Sequence, residues 1–162
     1  MSIQVGDRIP SVTLSMMGEL KPQPITTDEV FSGRTVVLFS VPGAFTPTCS
    51  ARHLPGFIDL AEDFRALGVD TIACVAVNDV FVMDAWGKSA GAGDILMLAD
   101  GNAEFARALG LEMDATDFGM GTRSQRFALV AEDGVVSQLY VEGPGEFRVS
   151  SAENVLAKLK AR

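Results

Sequence analysis

Two runs, Arg34 to Val41 (RTVVLFSV) and Asp70 to Val77 (DTIACVAV), limit what this chain can become more than any other feature. Both are rich in β-branched and apolar residues without polar alternation, the pattern of a strand covered on both faces. Between them, Ser50 to Leu67 carries Leu54, Phe57, Ile58, Ala61, Phe64 and Leu67 at three- and four-residue intervals. That spacing predicts a helix with one inward stripe. Pro55 lies inside it and, lacking a backbone donor, should kink it, while Gly68 closes it.

The other segments extend this pattern. Ser11 to Ser15 alternates polar and apolar residues as a half-buried strand does, and Gly18, Pro22 and Pro24 then break regularity, so the N-terminus reads as a short hairpin or extended cover. Thr26-Thr27-Asp28-Glu29 predicts a capped single helical turn ending at Gly33. Asn78-Asp79 caps a helix running through Trp86, Asp94 to Ala99 is a third strand, and Ala103 to Leu109 is a short helix. Arg126 to Glu132 is a fourth strand, joined by the tight turn Asp133-Gly134 to Val135 to Val141. Ser150-Ser151-Ala152-Glu153 caps a terminal helix bearing Val155, Leu156 and Leu159. Alternating βα units closed by a hairpin and a last helix predict a thioredoxin-like α/β sandwich, a central mixed β-sheet flanked by helices. Its 162 residues, 48% hydrophobic, suit a single domain over residues 1–162.

Charge and cysteine usage exclude several functions. The formal balance, 13 − 21 = −8, repels phosphate backbones and anionic lipid surfaces, so no nucleic-acid or membrane partner is expected. The start, MSIQVGD, has neither a basic nor an apolar signal region, and no stretch approaches the run of about 18 apolar residues a membrane span needs; the expected location is the cytoplasm. Two cysteines without a CxxC or Cys/His cluster make neither a disulfide framework nor a zinc site. No nucleotide-binding or metalloprotease motif occurs, so neither cofactor nor metal is expected. Gly87-Lys88-Ser89-Ala90-Gly91 fits G-x-S-x-G, but it trails a helix and the sole histidine precedes the serine, so the match is accidental.

The chemistry concentrates between the first buried strand and the helix, in Val41-Pro42-Gly43-Ala44-Phe45-Thr46-Pro47-Thr48-Cys49-Ser50. Thr46 is a preferred N-cap and Pro47 suits the first helical position, which puts Cys49 third in the helix. Free backbone N–H groups and the positive end of the helix dipole there favour a nucleophilic thiolate. The Thr46 hydroxyl, one turn before Cys49, has two readings, a helix cap or a holder of substrate oxygen. Arg126 at a strand start is either a surface charge or a fixed cation where α/β active sites gather. His53 is either a packing residue with one ring nitrogen satisfied or a source of positive charge or a hydrogen bond one turn past Cys49, and Arg123 either shapes its loop or pairs with an acid. Cys74, in mid-strand, reads as a buried inert thiol.

Pro42-x-x-x-Thr46-x-x-Cys49 resembles the active-site signature of the peroxiredoxins. The longer PGAFTPTCSARHLPGF, Pro42 to Phe57, is similar to the peroxiredoxin-5-like branch that includes the plant type II enzymes. Val75 to Met83 (VAVNDVFVM) and Arg123 to Phe127 (RSQRF) carry the similarity over most of the chain.

The resemblance implies a thiol peroxidase in which the Cys49 thiolate reduces hydrogen peroxide or an alkyl hydroperoxide and becomes a sulfenic acid. Thr46, Arg126 and the Cys49 amide hold the peroxide, and Pro42 shields the thiolate. Glutaredoxin with glutathione, or thioredoxin, regenerates the sulfur. Some animal members carry a resolving cysteine near the C-terminus, where Gly145 to Ser150 here has none and Val149 stands near its place. The branch also implies a homodimer through the active-site edge, where Phe45, Pro47, Phe81 and Phe118 fall in segments that read as turns. The competing function is a peroxide-sensing regulator or holdase, oxidised once and without turnover. Disulfide exchange lacks its CxxC pair, since Thr46 stands where the first cysteine would be.

Overall fold

The computed structural model describes residues 1–162. The first expected strand is β1, Thr13–Met17, which turns back into β2, Pro22–Thr26. Pro22 and Pro24 do not end regular structure as expected, because β2 is the edge of the sheet, where a missing ladder donor costs least. Thr26 and Glu29 form a reciprocal capping box on the short helix α1, Thr27–Phe31. The first two-sided run is β3, Thr35–Val41.

The long helix expected over residues 50–67 is broken twice. A π-helical turn covers Cys49–His53, α2 covers Leu54–Asp59, and α3 covers Ala61–Ala66. Pro55 accounts for the first break, since its ring crowds the carbonyl four residues back and it has no N–H to bond it; a wider π turn upstream absorbs both problems. The second break, at Leu60 with φ −101° and ψ 8°, has no sequence signal.

Strand β4, Thr71–Ala76, leads into α4, Val80–Ala90, which runs one turn beyond its expected end at Trp86 to a left-handed Gly91. Then come β5, Leu96–Ala99, α5, Glu104–Leu109, and an unpredicted small hairpin, β6, Glu112–Asp114, with β7, Thr122–Ser124. A 3-10 turn, Thr116–Phe118, lies between them. The chain closes with β8, Phe127–Glu132, β9, Val135–Val141, and α6, Ala152–Lys160. Asp133 and Gly134 between the last strands take φ 50° and 78°, the positive values a two-residue hairpin demands.

Seven strands form one mixed sheet in the order β2-β1-β5-β4-β3-β8-β9, with β3, β4 and β5 parallel and the others antiparallel to their neighbours. The central strands serve two cores, as their unalternating sequence requires. Val37, Phe39 and Val41 of β3, with Cys74 of β4, face Leu54, Phe57, Phe64, Trp86 and Val155; Val36, Leu38 and Val75 face Phe31, Phe105 and Leu109. Each fully buried side chain of this size contributes on the order of 1.5–3 kcal/mol. The thioredoxin-like sandwich expected from the sequence is therefore the observed one, and it leaves the C-terminal ends of β3 and β4 open to the loop that carries Cys49.

Candidate active site

Cys49 stands where a capped helix start was expected. Thr46 is non-helical, Pro47 begins the helix, and the Ser50 N–H makes the first backward bond, to the Thr46 carbonyl at 2.9 Å. The Thr48 and Cys49 amides, inside the first turn, have no intrahelical acceptor. Thr46 does not cap by accepting through its hydroxyl; that group donates to the Gly43 carbonyl at 2.7 Å. Its proton is committed, so its oxygen can take part in a further bond only as an acceptor.

The preceding loop is held from two directions. Asn78 Oδ1, at the end of β4, accepts from the Ala44 N–H at 2.9 Å, while Arg123 donates from Nε to the Met120 carbonyl at 2.9 Å and from Nη1 to the Pro42 carbonyl at 3.4 Å. Arg123 therefore shapes the loop and pairs with no acid. A Cβ on Gly43 would meet Arg123 Nη1 at 3.1 Å and Met120 Cε and Thr46 Cγ2 at 3.2 Å each, so a larger residue would push these side chains back from the loop. Phe45 adopts φ 63°, a strained conformation for an aromatic residue, which persists because these bonds fix its neighbours. On the far side Trp86 Nε1 donates to Ser50 Oγ at 3.0 Å, tying α4 to the π-helical turn.

Arg126, one residue before β8, directs its guanidinium to the sulfur. Nη2 donates to Cys49 Sγ at 3.0 Å and Nη1 donates to His53 Nδ1 at 2.8 Å. His53 Nε2 in turn lies 3.0 Å from the Ser150 carbonyl, which only accepts, so the imidazole is the neutral Nε2–H tautomer with both nitrogens used. His53 is therefore not a source of positive charge; it orients the arginine. Phe147 covers the pair, its ring 4.9 Å from that of His53 and 5.7 Å from Arg126 Cζ. Cys49 and His53 are both fully buried.

Burial first, and the charge of Arg126 second, push the His53 pKa down from 6.5 to about 3. An unfolded histidine takes a proton below about pH 6.5, whereas the folded one stays neutral to about pH 3, so stability contributed by this site declines as pH falls through that window. The slope is about 1.4 kcal/mol per pH unit. Denaturant unfolding of the protein and of His53→Gln at neutral and acid pH is expected to show a shallower decline in the variant. Equal declines would contradict a buried neutral imidazole.

Cys74 pairs in register with Phe39 and is fully buried on the same sheet face as Cys49. Burial, and then the proximity of Cys49, push its thiol well above the ordinary range, so it stays protonated. The sequence did not mark Asn78 as a loop anchor, nor Glu142, Phe147 and Ser150 as neighbours of His53, because these contacts join residues far apart in the chain.

A thioredoxin-like sandwich that presents a cysteine at a helix start, with a guanidinium on its sulfur, defines a thiol-redox protein. The redoxin family model matches residues 4–156. The chain is 55% identical to peroxiredoxin-2E-2, chloroplastic, of Oryza sativa subsp. japonica, over 98% of this chain and 73% of that one. It is 48% identical to peroxiredoxin-2B of Arabidopsis thaliana, over 97% and 98%. The crystal structure of reduced Prx3 in complex with H2O2 from Vibrio vulnificus superposes with a TM-score of 0.94 at 54% identity, covering 97% of this chain and 99% of that one. The chain belongs to the redoxin family and, within it, to the peroxiredoxins of the plant type II, peroxiredoxin-5-like branch. It is a thiol peroxidase, an oxidoreductase.

Proposed function

We propose that Cys49 is the peroxidatic cysteine and that Thr46, Arg126 and Pro42 complete its site. The observation that carries this is the 3.0 Å contact from Arg126 Nη2 to Cys49 Sγ at the first turn of a helix. The guanidinium presents a full positive charge and an N–H directly to the sulfur. The sulfur attacks the terminal oxygen of a hydroperoxide; the S–O bond forms as the O–O bond breaks, and the leaving oxygen departs as water or an alcohol after gaining a proton. Arg126 and the free Cys49 amide are placed to stabilise charge moving onto that oxygen. Thr46, whose hydroxyl can only accept further, takes the O–H of the peroxide and orients its O–O bond. Pro42, half-buried beside the loop, limits water access.

The resulting sulfenic acid needs two electrons, supplied by thiols through a mixed disulfide. With Cys74 buried and no cysteine at Val149, an external donor is the economical source, glutaredoxin with glutathione or thioredoxin. Two free thiols suit a reducing compartment such as the cytoplasm. Peroxide turnover measured with each reductant system tests this. Repeated turnover in at least one is expected, and oxidation that stops at one equivalent per chain in all of them would overturn it.

We also propose a two-fold homodimer through the edge beside Cys49. Phe45, Phe81 and Phe118 are 54%, 63% and 81% exposed, unusual for rings so close to a buried site. Phe45 lies in the Pro42 to Cys49 loop, Phe81 is the second residue of α4, three after the Asn78 that holds that loop, and Phe118 lies two residues before Met120, whose Cε is 3.2 Å from where a Gly43 Cβ would stand. Phe81 is thus helical and Phe118 ends a 3-10 turn, not the plain turns expected, yet both project from the fold. Sedimentation at low micromolar concentration is expected to give a dimer, and Phe45→Glu to weaken association and activity together. A clean monomer of the reduced protein would contradict it.

A further inference from the structure

Glu142 follows β9 and is 7% exposed, although no lysine or arginine side chain pairs with its carboxylate. One oxygen, Oε2, accepts three hydrogen bonds: from the Arg148 N–H at 2.7 Å, the Ser150 N–H at 2.8 Å and the Ser150 hydroxyl at 2.7 Å. Desolvation opposes the charge, yet these bonds outweigh it and hold the carboxyl below its usual range, so it is ionised at neutral pH. A buried anion with no cation costs stability that a neutral residue of similar shape would not. What it secures is the loop from Gly143 to Ser150.

That loop delivers two groups to the reactive centre. The Ser150 carbonyl accepts from His53 Nε2 at 3.0 Å and so fixes the tautomer that presents a lone pair to Arg126 Nη1 at 2.8 Å. Phe147 lies over both side chains. At the other end of the same residue, the Glu142 N–H donates to the Arg126 carbonyl at 3.0 Å. Glu142 thus grips Arg126 by its backbone, and through Ser150 and His53 by its guanidinium. We infer that Glu142 is a positioning residue for peroxide reduction: its carboxylate latches the 143–150 loop so that His53 aims Arg126 at Cys49 Sγ. This rests on Cys49 as the attacking sulfur.

The test compares two reactions of the same sulfur. Hydrogen peroxide needs Arg126 aimed at the leaving oxygen, whereas iodoacetamide needs only an accessible thiolate. In Glu142→Ala the second-order rate with peroxide is expected to fall by about tenfold more than the rate with iodoacetamide, as for a small misplacement of a catalytic group. Glu142→Gln keeps an acceptor oxygen but forms weaker, uncharged bonds, so a differential loss of about threefold is expected. A folded Glu142→Ala whose two rates fall equally, or do not fall, overturns the assignment. If the alanine variant does not fold, Glu142→Gln decides alone: a differential loss supports the latch and an unchanged ratio overturns it. Failure of the unmodified protein to react with peroxide at Cys49 would instead remove the premise, so the two failures are distinguishable.

Discussion

Cys49→Ser is expected to abolish peroxide turnover, with a loss of at least about a thousandfold, while the fold and thermal unfolding remain close to those of the parent. The expectation follows from chemistry and placement together. A serine hydroxyl is not ionised near neutrality and has no positioned base here, because both nitrogens of His53 are already bonded. The size change is small in a site that already tolerates a polar donor at 3.0 Å. Cys74→Ser is the control. Its sulfur is buried in β4 and held as a neutral thiol, so that variant should keep most of the activity. Initial-rate assays on both variants, with circular dichroism to verify folding, check this; comparable losses would contradict a one-cysteine mechanism.

Arg126→Ala is expected to have the second-largest effect, about 100- to 1000-fold on the rate of Cys49 oxidation, the range for removing a charge-stabilising donor from a reacting oxygen. Two losses combine. The sulfur loses the guanidinium that donates to it at 3.0 Å, and the departing oxygen loses its cationic donor. Arg126→Lys should recover only part of this. A single ammonium restores charge, but it has no planar fork to reach Cys49 Sγ and His53 Nδ1 together as the two Nη atoms do. Stopped-flow rates with peroxide and with iodoacetamide separate the two losses, since only peroxide needs a donor to its leaving oxygen. An alanine variant with unchanged rates would remove Arg126 from the site.

Much of this arrangement was legible in the sequence because its signals are local. The unalternating runs of β3 and β4 required cover on both faces, and two buried core clusters supply it. Pro47 marked where the helix begins, and hence that Cys49 sits in its first turn, although the Thr46 hydroxyl read as its cap donates to Gly43 instead. Asp133-Gly134 dictated a hairpin and formed one. The misses involve forces that local pattern does not encode. Pro55 announced a kink, but whether a helix answers with a bend or a π turn depends on what packs beside it, here Trp86 bonded to Ser50. Pro22 and Pro24 looked like strand breakers until the sheet order placed β2 at an edge. His53 could not be assigned from its spacing to Cys49, since its role depends on Arg126, 73 residues later, and Ser150, 97 residues later. The β6–β7 hairpin, with three residues a strand, is too short for periodicity to register.

Peroxide is expected to oxidise a single sulfur, that of Cys49. This expectation is tested most directly by treating the reduced protein with one equivalent of hydrogen peroxide in the presence of dimedone and locating the adduct by peptide mass spectrometry. The sulfenic-acid adduct is predicted on the Cys49 peptide alone, with the Cys74 peptide unmodified. An adduct on Cys74 with Cys49 untouched, or no oxidation of Cys49 while peroxide is consumed, would exclude Cys49 as the peroxide-reactive sulfur.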